Sequence, residues 1–154
     1  MARKKNDGKE LENVLQAALT RHAEKYRTTF GRFYDATSSG GKGHTQSGDF
    51  FWLLKQSVLI ECKSTDIGID IVSLIRSSKT SRAQVARHRV WHLAGHPSVY
   101  FYLDTDTREV RAYDGRSIVA AVPDKRIDLL VLLAVSSVTR IDLLLEKLVT
   151  TFNT

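Results

Sequence analysis

The chain has 154 residues, the length of one ordinary domain, and can bury a hydrophobic core without cross-links. A single cysteine, Cys62, excludes an internal disulfide and a cysteine-rich zinc site, and no apolar run approaches the roughly 20 residues needed to cross a bilayer. With 23 Lys and Arg against 17 Asp and Glu the net charge is +6 and the pI about 9.6, which favours a polyanionic partner, nucleic acid first and a membrane surface second.

Residues 1–8 are polar and basic, lack the apolar stretch of a secretory signal, and read as a flexible arm preceding one domain over 9–154, with a cytoplasmic location by default. Leu11, Val14, Leu15, Ala18 and Leu19 recur at helical spacing and predict a helix over 9–25. Residues 28–35 suit a strand, and the glycine-rich stretch 37–48 a long loop. Strands over 49–54 and 57–64 are close enough to pair as a hairpin through Lys55 and Gln56. Residues 67–75 fit either another strand or an irregular excursion. A second helix over 81–94 ends at Gly95-His96-Pro97, and 98–103 with 110–113 predict a second hairpin. Leu129 to Val135 and then Ile141, Leu144, Leu145, Leu148, Val149 and Phe152 form a helical stripe, the first part of it divided between core and a subunit interface. Helices alternating with strands describe an α/β domain with a central mixed sheet flanked by helices, in the order α-β-β-β-α-β.

In Val58-Leu59-Ile60-Glu61-Cys62-Lys63 two charged residues end an apolar strand. Side chains alternate across a strand, so Glu61 and Lys63 share one face and Cys62 packs on the other. Asp49, at the start of the preceding strand, reaches the same place if the two strands pair. Two converging carboxylates are hard oxygen ligands suited to Mg²⁺, with Mn²⁺ as a substitute, and a neighbouring ammonium can stabilise charge developing on a phosphate. The competing reading is a surface salt bridge between Glu61 and Lys63 on an edge strand.

These residues resemble the core motif of the PD-(D/E)xK nucleases, and their order is similar to that of the archaeal and phage-type Holliday-junction resolvases. Gly8-Lys9-Glu10-Leu11-Glu12 resembles the family's first helix, Ser39-Gly40 its serine-glycine loop, Asp49, Glu61 and Lys63 its motif, and Gln84 a glutamine on the following helix. Gly48 replaces the proline that names the motif, and the stretch between Lys63 and Gln84 is longer than in the archaeal relatives. The resemblance implies a restriction-endonuclease-like core and Mg²⁺-dependent hydrolysis of DNA, four-way junctions foremost, by a homodimer. It implies Glu12, Asp49 and Glu61 as metal ligands, Lys63 as an aid to the attacking water and Ser39 at the scissile phosphate. Glu12 suits that role by its place beside the buried face, whereas Glu10 reads as a solvated first-turn residue. Alternatives are a nuclease of the same fold acting on a nick, flap or replication intermediate, and a basic DNA-binding module without catalysis.

Arg76, Lys79, Arg82, Arg87 and Arg89 crowd a stretch with no acidic residue, and together with Lys42 and Gln84 they are candidate DNA contacts. His88, His92 and His96 recur every four residues, a possible zinc row that lacks an accompanying carboxylate and is cut by Pro97.

Overall fold

The structure is a computed structural model that describes residues 7–33, 49–66 and 68–153. The expected loop at 37–48, with Ser39 and Lys42, lies outside the described residues, as does most of the basic arm. Six strands form one open sheet in sequence order: β1 (Thr29–Arg32), β2 (Phe50–Leu53), β3 (Ser57–Thr65), β4 (Ser98–Asp104), β5 (Glu109–Asp114) and β6 (Leu132–Ser137). Every neighbouring pair is antiparallel except β3 and β4. Parallel neighbours need a long crossover. Here it is made by α2 (Ile71–Arg76) and α3 (Lys79–Leu93), while α1 (Asp7–Tyr26), α4 (Gly115–Ala121) and α5 (Ile141–Phe152) complete the layers.

Strand alternation divides the interior in two. Val58, Ile60, Cys62, Val99, Phe101 and Leu103 point to one face, where they meet the apolar stripes of α1 (Leu11, Leu15, Ala18, Leu19) and α5 (Ile141, Leu144, Leu145, Leu148). Tyr100, Tyr102 and Tyr113 point to the other, against Ile71, Val72 and Ile75 of α2, Val85 of α3 and Ile118 and Ala121 of α4. Burying a leucine or isoleucine side chain is worth about 1.5–3 kcal/mol, so the two layers hold the central strands from both sides. On the surface Arg21 and Lys25 of α1 pair with Asp142 and Glu146 of α5. Exposed pairs of this kind add little stability.

Local signals set the crossover. Asp70 caps α2 by accepting from the Ser73 amide (2.8 Å) and hydroxyl (2.7 Å), and Ser78 caps α3 by accepting from the Ser81 amide (3.2 Å). At the far end Gly95 takes a left-handed φ of +92°, which ends α3 and turns the chain into β4.

The described part of the 67–75 stretch, from Gly68 on, is not a strand: from Ile71 onward it is helical, because Asp70 supplies a cap and Ile71, Val72 and Ile75 bury one helical face. The apolar run near Leu129 also departs from the helical stripe. A single 3-10 turn at Ile127–Leu129 leads into β6, which is an edge strand, and only Ile141–Phe152 is α-helix. The short α4 was not expected at all. It begins at Gly115, where a Cβ would overlap the Ser98 hydroxyl oxygen and lie 2.8 Å from the Ser98 carbonyl oxygen. Gly115→Ala is expected to cost about 2 kcal/mol, a fall of roughly 5 °C in the melting temperature followed by circular dichroism. An unchanged melting temperature would mean that the α4–β4 approach is loose. Among the described residues no helix is long and apolar enough to cross a membrane.

Candidate active site

The β2–β3 ladder places Phe50 opposite Ile60, and the residue before it, Asp49, continues the pairing. Its amide donates to the Ile60 carbonyl (2.8 Å), and its Oδ2 accepts from the Cys62 amide (2.6 Å). The Asp49 side chain is thereby pinned against β3 between Glu61 and Lys63. Cys62 turns to the α1 side and is buried in the core, leaving Glu61 and Lys63 on the α3 side as alternation requires.

Glu61 is 2% exposed and Asp49 7%, so neither is a surface salt-bridge residue. Burial, before any other cause, pushes both carboxyls up, Asp49 to about 9 and Glu61 to about 7. Repulsion adds to this: the charge of Glu61 raises Asp49, and Glu12, reaching in from α1, raises both. Lys63 opposes the shift on Glu61, its Nζ lying 3.2 Å from Glu61 Oε1. Two groups on α3 hold the same ammonium, the Ser81 hydroxyl at 2.9 Å and Gln84 Oε1 at 2.8 Å. Arg32 Nη2 stands 3.4 Å from Glu12 Oε1 at the edge of the cluster. Glu10, by contrast, forms a two-pronged pair with Arg108 on the surface, both contacts 2.7 Å.

Protein-family models, curated proteins and solved structures were compared with the chain, and none matches it.

Among the described residues no three His, Cys, Asp or Glu side chains form a ready metal cage. Within the cluster Asp49 Oδ2 is engaged by the Cys62 amide and Glu61 Oε1 by Lys63. Glu61 Oε2, however, is buried and has no hydrogen-bond partner among the described residues. An unmet buried carboxylate oxygen beside a second carboxylate, both pushed toward protonation, is a site whose cost a divalent cation would relieve. Mg²⁺ is commonly held by only one or two carboxylates, with waters and substrate phosphate completing its shell. The donor set of Asp49 and Glu61, with Glu12 nearby, fits that ion.

The remaining sequence candidates scatter. Gln84 is buried, its Oε1 accepting from Lys63, so it faces the carboxylate cluster and not the surface of α3. Arg76 is tied to the end of α4, donating to the carbonyls of Val122 (2.6 Å) and Pro123 (2.8 Å). Arg82 donates to the Arg76 carbonyl, and with Arg89 it borders a shallow groove floored by Val85, Val119 and Val122. Lys79 is exposed at the start of α3, and Arg87, exposed three residues after Gln84, leaves α3 on the flank that faces Lys63. The five cations thus do not form one continuous row.

Nor do the three histidines. His88 is fully buried and held neutral, burial pushing its pKa down to about 3. His92 Nε2 contacts the Ser98 hydroxyl at 2.7 Å, and His96 lies beyond the helix against Trp91. Ser81 was missed by sequence reasoning. It sits three residues before Gln84, the helical spacing that puts both on Lys63.

Proposed function

We propose that this chain is a Mg²⁺-dependent DNA endonuclease with a restriction-endonuclease-like core, acting inside the cell on branched DNA and on four-way junctions foremost. The observation that carries the proposal is the convergence of buried Asp49 and Glu61 with Lys63 where β2 meets β3. A salt bridge kept for stability alone would not bury two carboxylates side by side, since like charges at close range raise each other's cost.

Asp49 and Glu61 would hold the ion, with Glu12 adding negative charge from α1. Bound there, Mg²⁺ supplies neutralisation of phosphate charge and acidification of water. Lys63 is fixed by Ser81, Gln84 and Glu61, so its positive charge would stand in place beside the oxygen on which charge develops, and one of its three donors would turn from its present partner to bond that oxygen. Water adds to phosphorus and the 3′ oxygen departs with a proton, leaving 5′-phosphate and 3′-hydroxyl ends. Ser39 at the scissile phosphate and Lys42 on the backbone remain part of the proposal, as does the homodimer. In support of a second copy, the β6 edge and its approach expose Leu129, Val131, Leu132 and Val135, and Leu143 is exposed on α5.

Incubation of labelled four-way junction and of linear duplex with the protein, in Mg²⁺ and in excess chelator, tests this. Ion-dependent cutting of the junction in preference to linear duplex is expected. Equal cutting of both would leave a nuclease of another specificity, and binding without cutting would leave a DNA-binding module.

The cations separate by role. Arg87→Ala is expected to reduce the dependence of log affinity on log salt by about one unit of slope, as the loss of one phosphate contact does. Arg76→Ala should instead lower the melting temperature, because it strips the α4 carbonyls of their donor, and should leave the slope unchanged. Salt titrations of both variants against the same DNA decide the point.

A further inference from the structure

Beneath α3 three buried polar side chains gather, Glu61, Tyr100 and His88. Tyr100 lies opposite Glu61 in the parallel β3–β4 register, and the His88 ring packs 4.6 Å from the Tyr100 ring. Among the described residues Glu61 Oε2, the Tyr100 hydroxyl and both ring nitrogens of His88 are sealed from solvent without a hydrogen-bond partner. Buried polar groups are nearly always paired, so four unmet atoms in one place need an explanation.

Their chemistries are complementary. A carboxylate oxygen accepts, a hydroxyl both donates and accepts, and a neutral imidazole donates from one nitrogen and accepts at the other. Packing alone does not call for them, because phenylalanine and leucine would fill comparable space with no polar atom to satisfy. Metal-binding carboxylates are, in general, oriented by a further layer of hydrogen bonds, and losing such a partner weakens metal affinity about 10–100-fold.

Resting on the nuclease reading above, we propose that Tyr100 is a positioning residue for Glu61. Its hydroxyl donates to Glu61 Oε2 and accepts from His88, each through an enclosed water, so that the carboxylate is oriented toward Asp49 before a cation arrives. His88 fixes the direction of the Tyr100 proton. The histidine at the middle of α3 thus acquires a role that needs no zinc.

Titration of the purified protein with Mn²⁺, followed by the loss of free-ion paramagnetic resonance signal, reads ion affinity without reference to cleavage. Tyr100→Phe, which removes one oxygen and keeps the ring, is expected to weaken Mn²⁺ binding about ten-fold or more. The Mg²⁺ concentration for half-maximal cleavage should rise by the same factor, with KM for DNA unchanged. His88→Gln, which still donates and accepts, should bind Mn²⁺ more tightly than His88→Leu, which does neither. If Tyr100→Phe does not fold, this His88 pair carries the test. Wild-type Mn²⁺ affinity in Tyr100→Phe, or equal affinity in the two His88 variants, overturns the relay and leaves the nuclease standing. A wild-type protein that binds no Mn²⁺ overturns both.

Discussion

Asp49→Asn is expected to raise the melting temperature of the ion-free protein at pH 8 by roughly 5 °C, at about 2–4 °C per kcal/mol for a chain of this size. Asparagine keeps an oxygen to accept from the Cys62 amide and removes the cost of holding Asp49 protonated at a pH where the unfolded carboxyl is ionised. The pH dependence follows from the same shifts. Both carboxyls bind their proton more tightly folded than unfolded, Asp49 up to about 9 from 3.8 and Glu61 up to about 7 from 4.5. Stability from the protonated forms is therefore complete below about pH 4 and is lost as pH rises through about 7 and then about 9. Wild type should weaken steadily across that window, and Asp49→Asn should show a shallower decline. Addition of Mg²⁺ at pH 8 should stabilise wild type, because an ion that binds only the folded state shifts unfolding by mass action, and should do little for the variant. Thermal melts at several pH values check all three. A wild-type stability that is flat from pH 5 to 9 would mean that the two carboxylates do not share one buried site.

Lys63→Ala is the second large effect: a fall of about 100-fold or more in single-turnover cleavage, with DNA affinity kept within a few-fold. The ammonium is held from three sides, and it also opposes the upward shift on Glu61. Removing it loses the charge aimed at the phosphate and leaves Glu61 more readily protonated. Lys63→Arg should rescue little, since a planar guanidinium does not match the spacing of Ser81, Gln84 and Glu61 around a tetrahedral ammonium. A Lys63→Ala protein that cuts at the wild-type rate would return Lys63 to the role of a salt-bridge partner.

The heart of the site was legible because alternation along β3 is a local property: two charges at the end of an apolar strand had to share a face, and Cys62 had to leave it. The pairing of Asp49 was legible for the same reason, through the short Lys55-Gln56 connection. Glu12 was separable from Glu10 by its place beside the apolar stripe of α1. What failed to read was tertiary. Gln84 reads as a candidate DNA contact, and only the packed structure shows it held on Lys63; the basic run 76–89 reads as one track, and only the structure ties Arg76 to the end of α4. Residues 67–75 read as a strand or an irregular excursion, and the helix from Ile71 rests on the Asp70 cap and on burial of Ile71, Val72 and Ile75, which a tertiary partner decides. The histidine row stands out by its spacing, yet the three rings part: His88 meets Tyr100 and His92 meets Ser98, both of β4, and His96 meets Trp91 of α3.

The most direct measurement is cleavage of a labelled four-way junction by purified wild-type protein and Asp49→Asn in Mg²⁺, at a concentration where both bind the junction. Metal-dependent cutting with 5′-phosphate ends by wild type, lowered at least about 100-fold in a folded Asp49→Asn, is the result the proposed function predicts. Equal cutting by the two proteins, or binding by wild type with no cutting in Mg²⁺ or Mn²⁺, would contradict it.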